Sequence, residues 1–187
     1  MQIGVIGSWE EDLDKEIYDL AEEVGKLVAK RGGILFTGGS TGVMEAAMRG
    51  ARSENGLTVG IIPTEKKEEY KFLSQFAVVL IMTGMGEYGR SVPLIHSVDG
   101  VIAIGGGAGT LMEISLAYHQ HKAIVCIPVA GYTSDRIRNL LTDLYLDHRR
   151  IQRLHFAETP KEAVDLLYAA IETGLSRPSD RSKPKRR

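Results

Sequence analysis

The sequence predicts an α/β protein built on a doubly wound, mostly parallel sheet with helices on both faces. Three observations carry this. Short apolar runs alternate along the chain with longer stretches of helical periodicity. The apolar runs are continuous rather than alternating, as in strands buried on both faces. Glycine-rich turns recur at the carboxyl ends of those runs, where strand gives way to helix.

Each element follows in order. Ile3–Ile6 reads as the first strand. Ser8-Trp9-Glu10-Glu11 has the form of a capping box, Ser8 at the cap and Glu11 three residues on. The helix after it carries Leu13, Ile17, Leu20, Ala21, Val24, Leu27 and Val28 on one stripe, and Gly32-Gly33 ends it. Ile34–Thr37 is the second strand. The turn Gly38-Gly39-Ser40-Thr41-Gly42 opens a helix near Val43. Leu57–Ile62 is the third strand, and the charged stretch Thr64–Tyr70 is a loop. Val78–Met82 is the fourth strand, followed by the glycine-rich segment Thr83–Gly89 and a helix ending near Val98. Val101–Ile104 is the fifth strand. Gly105-Gly106-Gly107-Ala108-Gly109 turns into a helix from Thr110 to about His121. Ala123–Pro128 is the sixth strand, Ser134–Asp147 a helix and His155–Glu158 a short last strand. Thr159-Pro160-Lys161-Glu162 is a second capping box with Pro at the first helical position, opening a helix to about Glu172.

The 187 residues suit one domain, residues 1–175, with a basic tail at 176–187 that has almost nothing to bury and is expected to be disordered. The tail holds six Lys/Arg against one Asp. Its charge of +5 against a whole-chain charge of −1 leaves the body at −6. That body has no polycationic surface suited to nucleic acid. The one cysteine, Cys126, sits inside an apolar run and fits a reducing, cytoplasmic setting. No apolar run reaches the roughly 20 residues that span a bilayer, and the first residues enter a strand pattern rather than a leader.

The chemistry concentrates at the turns. Four of the five residues Gly105, Gly106, Gly107, Ala108 and Gly109 are glycine, and Thr110 follows with a hydroxyl. A turn of this kind lets a ligand approach the backbone, and the next helix aims its free N–H groups at an anion. No Lys-Ser or Lys-Thr follows the glycines, so it is not a Walker A loop. Gly4-Val5-Ile6-Gly7-Ser8 is not the dinucleotide fingerprint G-x-G-x-x-G. Gly7 and Ser8 are either a plain helix cap or a wall of a nucleotide pocket at the switch point of the sheet. Glu113 stands three residues after Thr110, as a capping box requires, and equally within reach of a sugar hydroxyl or a water at the anion site. Arg90 is the only basic residue between Lys71 and Lys122 and has the side chain suited to bidentate phosphate contact. His96, His119 and His121 lack metal-ligand spacing, so no metal is expected. G-x-S-x-G is absent, and with it a nucleophile elbow.

These residues together resemble a known family. Gly106-Gly107-Ala108-Gly109-Thr110-Leu111-Met112-Glu113 is similar to the G-G-x-G-T-x-x-E core of the LOG family. Its members are nucleoside 5'-monophosphate phosphoribohydrolases on a Rossmann-like, nucleotide-binding fold. Arg90 stands 15 residues before Gly105, the spacing of the family's motif arginine, and Asp99 falls where the family has Asp. Gly38–Ala47 and Gly56–Pro63 resemble two further family segments. Gly105 replaces the family's Pro and Ser91 replaces the Lys after the arginine. Both changes look like a neighbouring branch that includes molybdenum-cofactor carrier proteins.

The resemblance implies Arg90 and Glu113 as catalytic residues. It implies Gly105–Thr110 with Gly7, Ser8, Gly38, Gly39 and Ser40 as phosphate and nucleotide contacts. It also implies an AMP-like ligand, no required cofactor, and a homodimer or larger assembly. The implied reaction is hydrolysis of the N-glycosidic bond. The alternative is a non-catalytic carrier of a phosphate-bearing cofactor or nucleotide.

Overall fold

Seven strands form one sheet in the computed structural model, which describes residues 1–174. The strands are β1 (Gln2–Gly7), β2 (Ile34–Thr37), β3 (Thr58–Ile62), β4 (Val79–Met82), β5 (Gly100–Ile104), β6 (Ala123–Ile127) and β7 (Leu154–Phe156). Their order is β4-β3-β2-β1-β5-β6-β7, and every neighbouring pair is parallel. The order reverses direction between β1 and β5. In parallel sheets this switch point opens a crevice at the carboxyl ends of the strands. The expected tail at 176–187 lies outside the described residues.

The helices are α1 (Lys15–Lys30), α2 (Val43–Ser53), α3 (Gly86–Gly89), α4 (Ser91–His96), α5 (Ala108–His119), α6 (Thr133–Arg136) and α7 (Pro160–Thr173). Side chains alternate across the sheet and sort the core into two layers. Ile3 and Val5 of β1, with Ile102 and Ile104 of β5, pack under α1, α2 and α7. Ile6 of β1, with Val101 and Ala103 of β5, packs under α4 and α5 through Leu94, Ile95, Ile114 and Tyr118. Cys126 is fully buried in the second layer, and burial pushes its thiol up to about 12. Thr159 caps α7 by accepting from the Glu162 N–H at 3.2 Å, as its sequence predicts.

Four expectations are corrected. The box at Ser8–Glu11 does not form, because the Ser8 side chain is committed across the sheet to Gly106. Residues 8–14 are a loop, and Asp14 caps α1 through the Glu16 N–H at 2.9 Å. The helix after β5 starts at Ala108, so Thr110 already lies inside it and cannot cap it. The stretch Ser134–Asp147 is not one helix. After α6 comes a 3-10 turn, Ile137–Leu140, and then a tight turn closed by a Thr142–Tyr145 bridge. Finally, β4 is an edge strand. Val79, Ile81 and Met82 are exposed there, unlike the strands covered on both faces.

Candidate functional site

The turn between β5 and α5 is held from behind by two serines. The Gly106 N–H donates to Ser8 Oγ at 2.9 Å, and the Gly105 N–H donates to Ser134 Oγ at 2.9 Å. The Thr133 N–H and the Ser134 N–H donate back to the carbonyls of Gly106 and Gly105 at 2.8 and 3.1 Å. Gly105 and Gly106 sit at φ 63° and 79°, the left-handed region that side chains avoid. These constraints turn the chain so that α5 begins at the switch point with its first N–H groups facing outward. Those of Ala108, Gly109 and Thr110 lie in the first turn, where no carbonyl of the helix can accept them, and no side chain caps the helix at Gly107. A Cβ added at Gly107 or Gly109 would meet nothing within 4 Å. The result is an open cradle of donors at the positive end of a helix.

Beside this cradle lies a buried ionic cluster. Arg90 stands at the junction of α3 and α4, and its guanidinium lies flat against Gly38, where a Cβ would come within 2.2 Å of Nη1. Arg90 Nη1 donates to Glu113 Oε1 at 3.3 Å, and Ser91 Oγ donates to the same oxygen at 2.9 Å. Arg90 and Glu113 are 7% and 6% exposed. Both donors converge on Oε1, and among the described residues no hydrogen bond reaches Oε2. Burial raises the Glu113 carboxyl above its ordinary range, against the opposing pull of Arg90 and Ser91. Arg90 Nε is buried without a hydrogen-bond partner. A buried donor left unpaired costs on the order of 1–3 kcal/mol, so this cluster is held at some expense to the fold.

Cradle and cluster open into one cleft of about 440 Å³. Of the residues expected from sequence, Gly7, Arg90, Gly107, Ala108, Gly109, Thr110 and Glu113 line it. Gly105, Gly106 and Ser8 do not; they shape the turn from behind. Gly38, Gly39 and Ser40 do not line it either. They are buried and packed against Arg90 and neighbouring chain. Glu113 is no cap partner of Thr110, because its carboxylate turns to Arg90 and Ser91.

The sequence reading missed the other side of the cleft, which Trp9, Tyr70, Phe72 and Tyr88 line together with Met44 and Glu87. Trp9, Tyr70 and Phe72 come from loops after β1 and β3, Met44 from α2, and Glu87 and Tyr88 from α3 after β4, with no spacing to link them. Their one signal is the placement of aromatic residues in otherwise polar connections. Among the described residues no group of three or more His, Cys, Asp or Glu is placed to hold a metal ion. No helix there is long and apolar enough to cross a membrane.

Known proteins are similar to this chain in sequence and fold. An uncharacterized protein of Archaeoglobus fulgidus is 39% identical over 165 residues, covering 88% of this chain and 93% of its own. A cytokinin riboside 5'-monophosphate phosphoribohydrolase of Mycobacterium tuberculosis is 28% identical, covering 80% of this chain and 84% of its own. The solved structure of a molybdenum cofactor binding protein from Rippkaea orientalis superposes with a TM-score of 0.77 at 31% identity, covering 91% of this chain and 96% of that one. The SLOG cluster4 family model matches residues 1–164, which hold all seven strands and the site. By that match, and with the glycine cradle and its buried Arg–Glu pair inside the matched span, the chain belongs to the SLOG cluster4 family.

Proposed function

We propose that the cleft binds a nucleoside 5'-monophosphate and hydrolyses its N-glycosidic bond. The observation that carries this is Glu113, a buried carboxylate beside a phosphate cradle, with one oxygen pinned by Arg90 and Ser91 and the other left for a ligand. The 5'-phosphate sits on the N–H groups of Ala108, Gly109 and Thr110, with the Thr110 hydroxyl as a further donor. Glu113 Oε2 accepts from a ribose hydroxyl and aligns a water. As the bond from C1' to the base nitrogen breaks, its electron pair leaves with the base and positive charge develops on the sugar. The Glu113 carboxylate opposes that charge. The water oxygen bonds to C1', and the water proton passes to the base. The products are free base and ribose 5-phosphate. The name of the mycobacterial relative supports this reading.

A second reading is a carrier. In this chain Ser91, a neutral donor, stands where the family resemblance places a lysine, and the Rippkaea protein, 31% identical, is named for binding molybdenum cofactor. The same N–H groups would then hold the phosphate of a cargo, and Glu113 would only orient it.

Adenine release from AMP separates the two. Glu113→Gln keeps the size of the side chain and removes its charge, so turnover falls about 10²-fold or more while AMP still binds. Arg90→Ala weakens AMP binding as well. Wild-type protein that releases no base from any common purine monophosphate, yet co-purifies with a phosphate-bearing ligand, is a carrier.

A further inference from the structure

The aromatic side of the cleft has no role in the chemistry described above, and its exposure calls for an explanation. Trp9 is 58% exposed and Tyr88 74% exposed, although both line the same cleft as the phosphate cradle. Large apolar rings left open at the rim of a concave polar site mark a place where something apolar and flat is received.

The Trp9 backbone is fixed. Its carbonyl accepts from Thr41 Oγ1 at 2.6 Å, and the preceding Ser8 carbonyl accepts from the Val43 N–H at 2.9 Å. The ring itself rests only edge-to-face on Phe72, with centroids 5.6 Å apart and planes at 63°. Phe72 meets Tyr70 the same way, at 6.3 Å and 79°. An edge-to-face contact covers at most one face of a ring, so Trp9 keeps a broad face free. Tyr88 is carried on α3, between Gly86 at φ 71° and Gly89.

One cleft offers a contact for each part of a nucleotide, since the phosphate cradle, the Arg90–Glu113 pair and the aromatic rings all line it. The cradle follows β5, the Arg90–Glu113 pair stands beside it, and the aromatic residues follow β1, β3 and β4. We propose that Trp9, Phe72 and Tyr88 form a ring-binding wall that stacks the flat heteroaromatic group of the phosphate-bearing ligand and sets the preference for ring-bearing over ring-free sugar phosphates. This rests on the phosphate-binding reading of the cradle, and it applies to catalyst and carrier alike.

Trp9 is the only tryptophan in the chain, so its fluorescence reports on the wall alone. The probes are AMP and ribose 5-phosphate, read by calorimetry and by emission in the first seconds after mixing. AMP should bind at least about tenfold more tightly than ribose 5-phosphate, the scale of one base–aromatic stack, and should alone quench the emission. Trp9→Ala should remove most of that gap and leave ribose 5-phosphate binding unchanged, which also shows that the variant is folded. Equal binding of the two probes without quenching, or a gap that survives Trp9→Ala, overturns the wall and leaves the phosphate cradle standing. If neither probe binds, the nucleotide reading falls and the wall with it.

Discussion

The turn after β2, Gly38–Gly42, and the turn after β5, Gly105–Gly109, look alike in sequence and differ in what surrounds their missing side chains. In the first, protein fills the space. A Cβ at Gly38 would strike the Arg90 guanidinium, one at Gly39 would lie 2.7 Å from Ile62 Cγ2, and one at Gly42 would lie 2.4 Å from the Ser8 carbonyl oxygen. In the second, Gly106 is closed in the same way, a Cβ there lying 2.0 Å from Thr110 Oγ1, but Gly107 and Gly109 border empty space. Both turns need glycine. One needs it so that the chain can approach itself, the other so that a ligand can approach the chain. A count of glycines does not separate these cases; the nearest atom to the absent Cβ does.

Three substitutions test the contrast. Gly42→Ala has the largest expected effect. The residue sits at φ 67° and its Cβ would strike backbone. The loss should be about 3 kcal/mol or more, seen as a melting temperature lower by several degrees. A variant that melts with wild type would mean that the first turn is not closed. Ser134→Ala comes next. Ser134 is buried, and its hydroxyl accepts from both the Gly105 and the Val129 N–H groups, at 2.9 and 3.1 Å. Removing that acceptor strands the buried Gly105 donor and the half-buried Val129 donor and should cost about 2 kcal/mol in urea unfolding. Gly109→Ala should move stability least, within about 1 kcal/mol and upward, because alanine favours the helix and clashes with nothing. It should still weaken AMP binding by about tenfold, or roughly 1.4 kcal/mol, because its methyl occupies the cradle. Undiminished AMP binding by this variant would place the ligand elsewhere.

The same contrast explains what the sequence could say. The strands were legible because burial on both faces leaves a continuous apolar run; Val101–Ile104 and Ala123–Ile127 have no other reading. The edge strand β4 has the same composition without the same burial, because an apolar run does not reveal whether a neighbour covers it. The anion cradle was legible because its glycines and its helix are adjacent in sequence. Glu113 stood out by its place after Thr110 and Arg90 as an isolated arginine, with the family motif adding to both, but their contact did not, since 23 residues separate them. The two capping boxes at Ser8 and Thr110 fail for one reason. Each side chain finds a partner or a place fixed by the fold of the distant chain, and local pattern cannot weigh that. The aromatic wall was illegible because it is assembled from two loops and the short helix α3, and only the fold brings them to one cleft.

The buried Cys126 has a practical corollary. It is the only thiol in the chain, it is enclosed in the centre of β6, and its ionisation is displaced far above neutral pH. Maleimides and iodoacetamides react with thiolate that they can reach, and this residue supplies neither the anion nor the access. The native protein is thus already a silent background for labelling. A cysteine placed at Glu87, exposed on the cleft and outside the ring wall, would be the lone reactive handle among the described residues of the folded molecule. A spin label or dye attached there can follow the mouth of the cleft without the native cysteine being removed first.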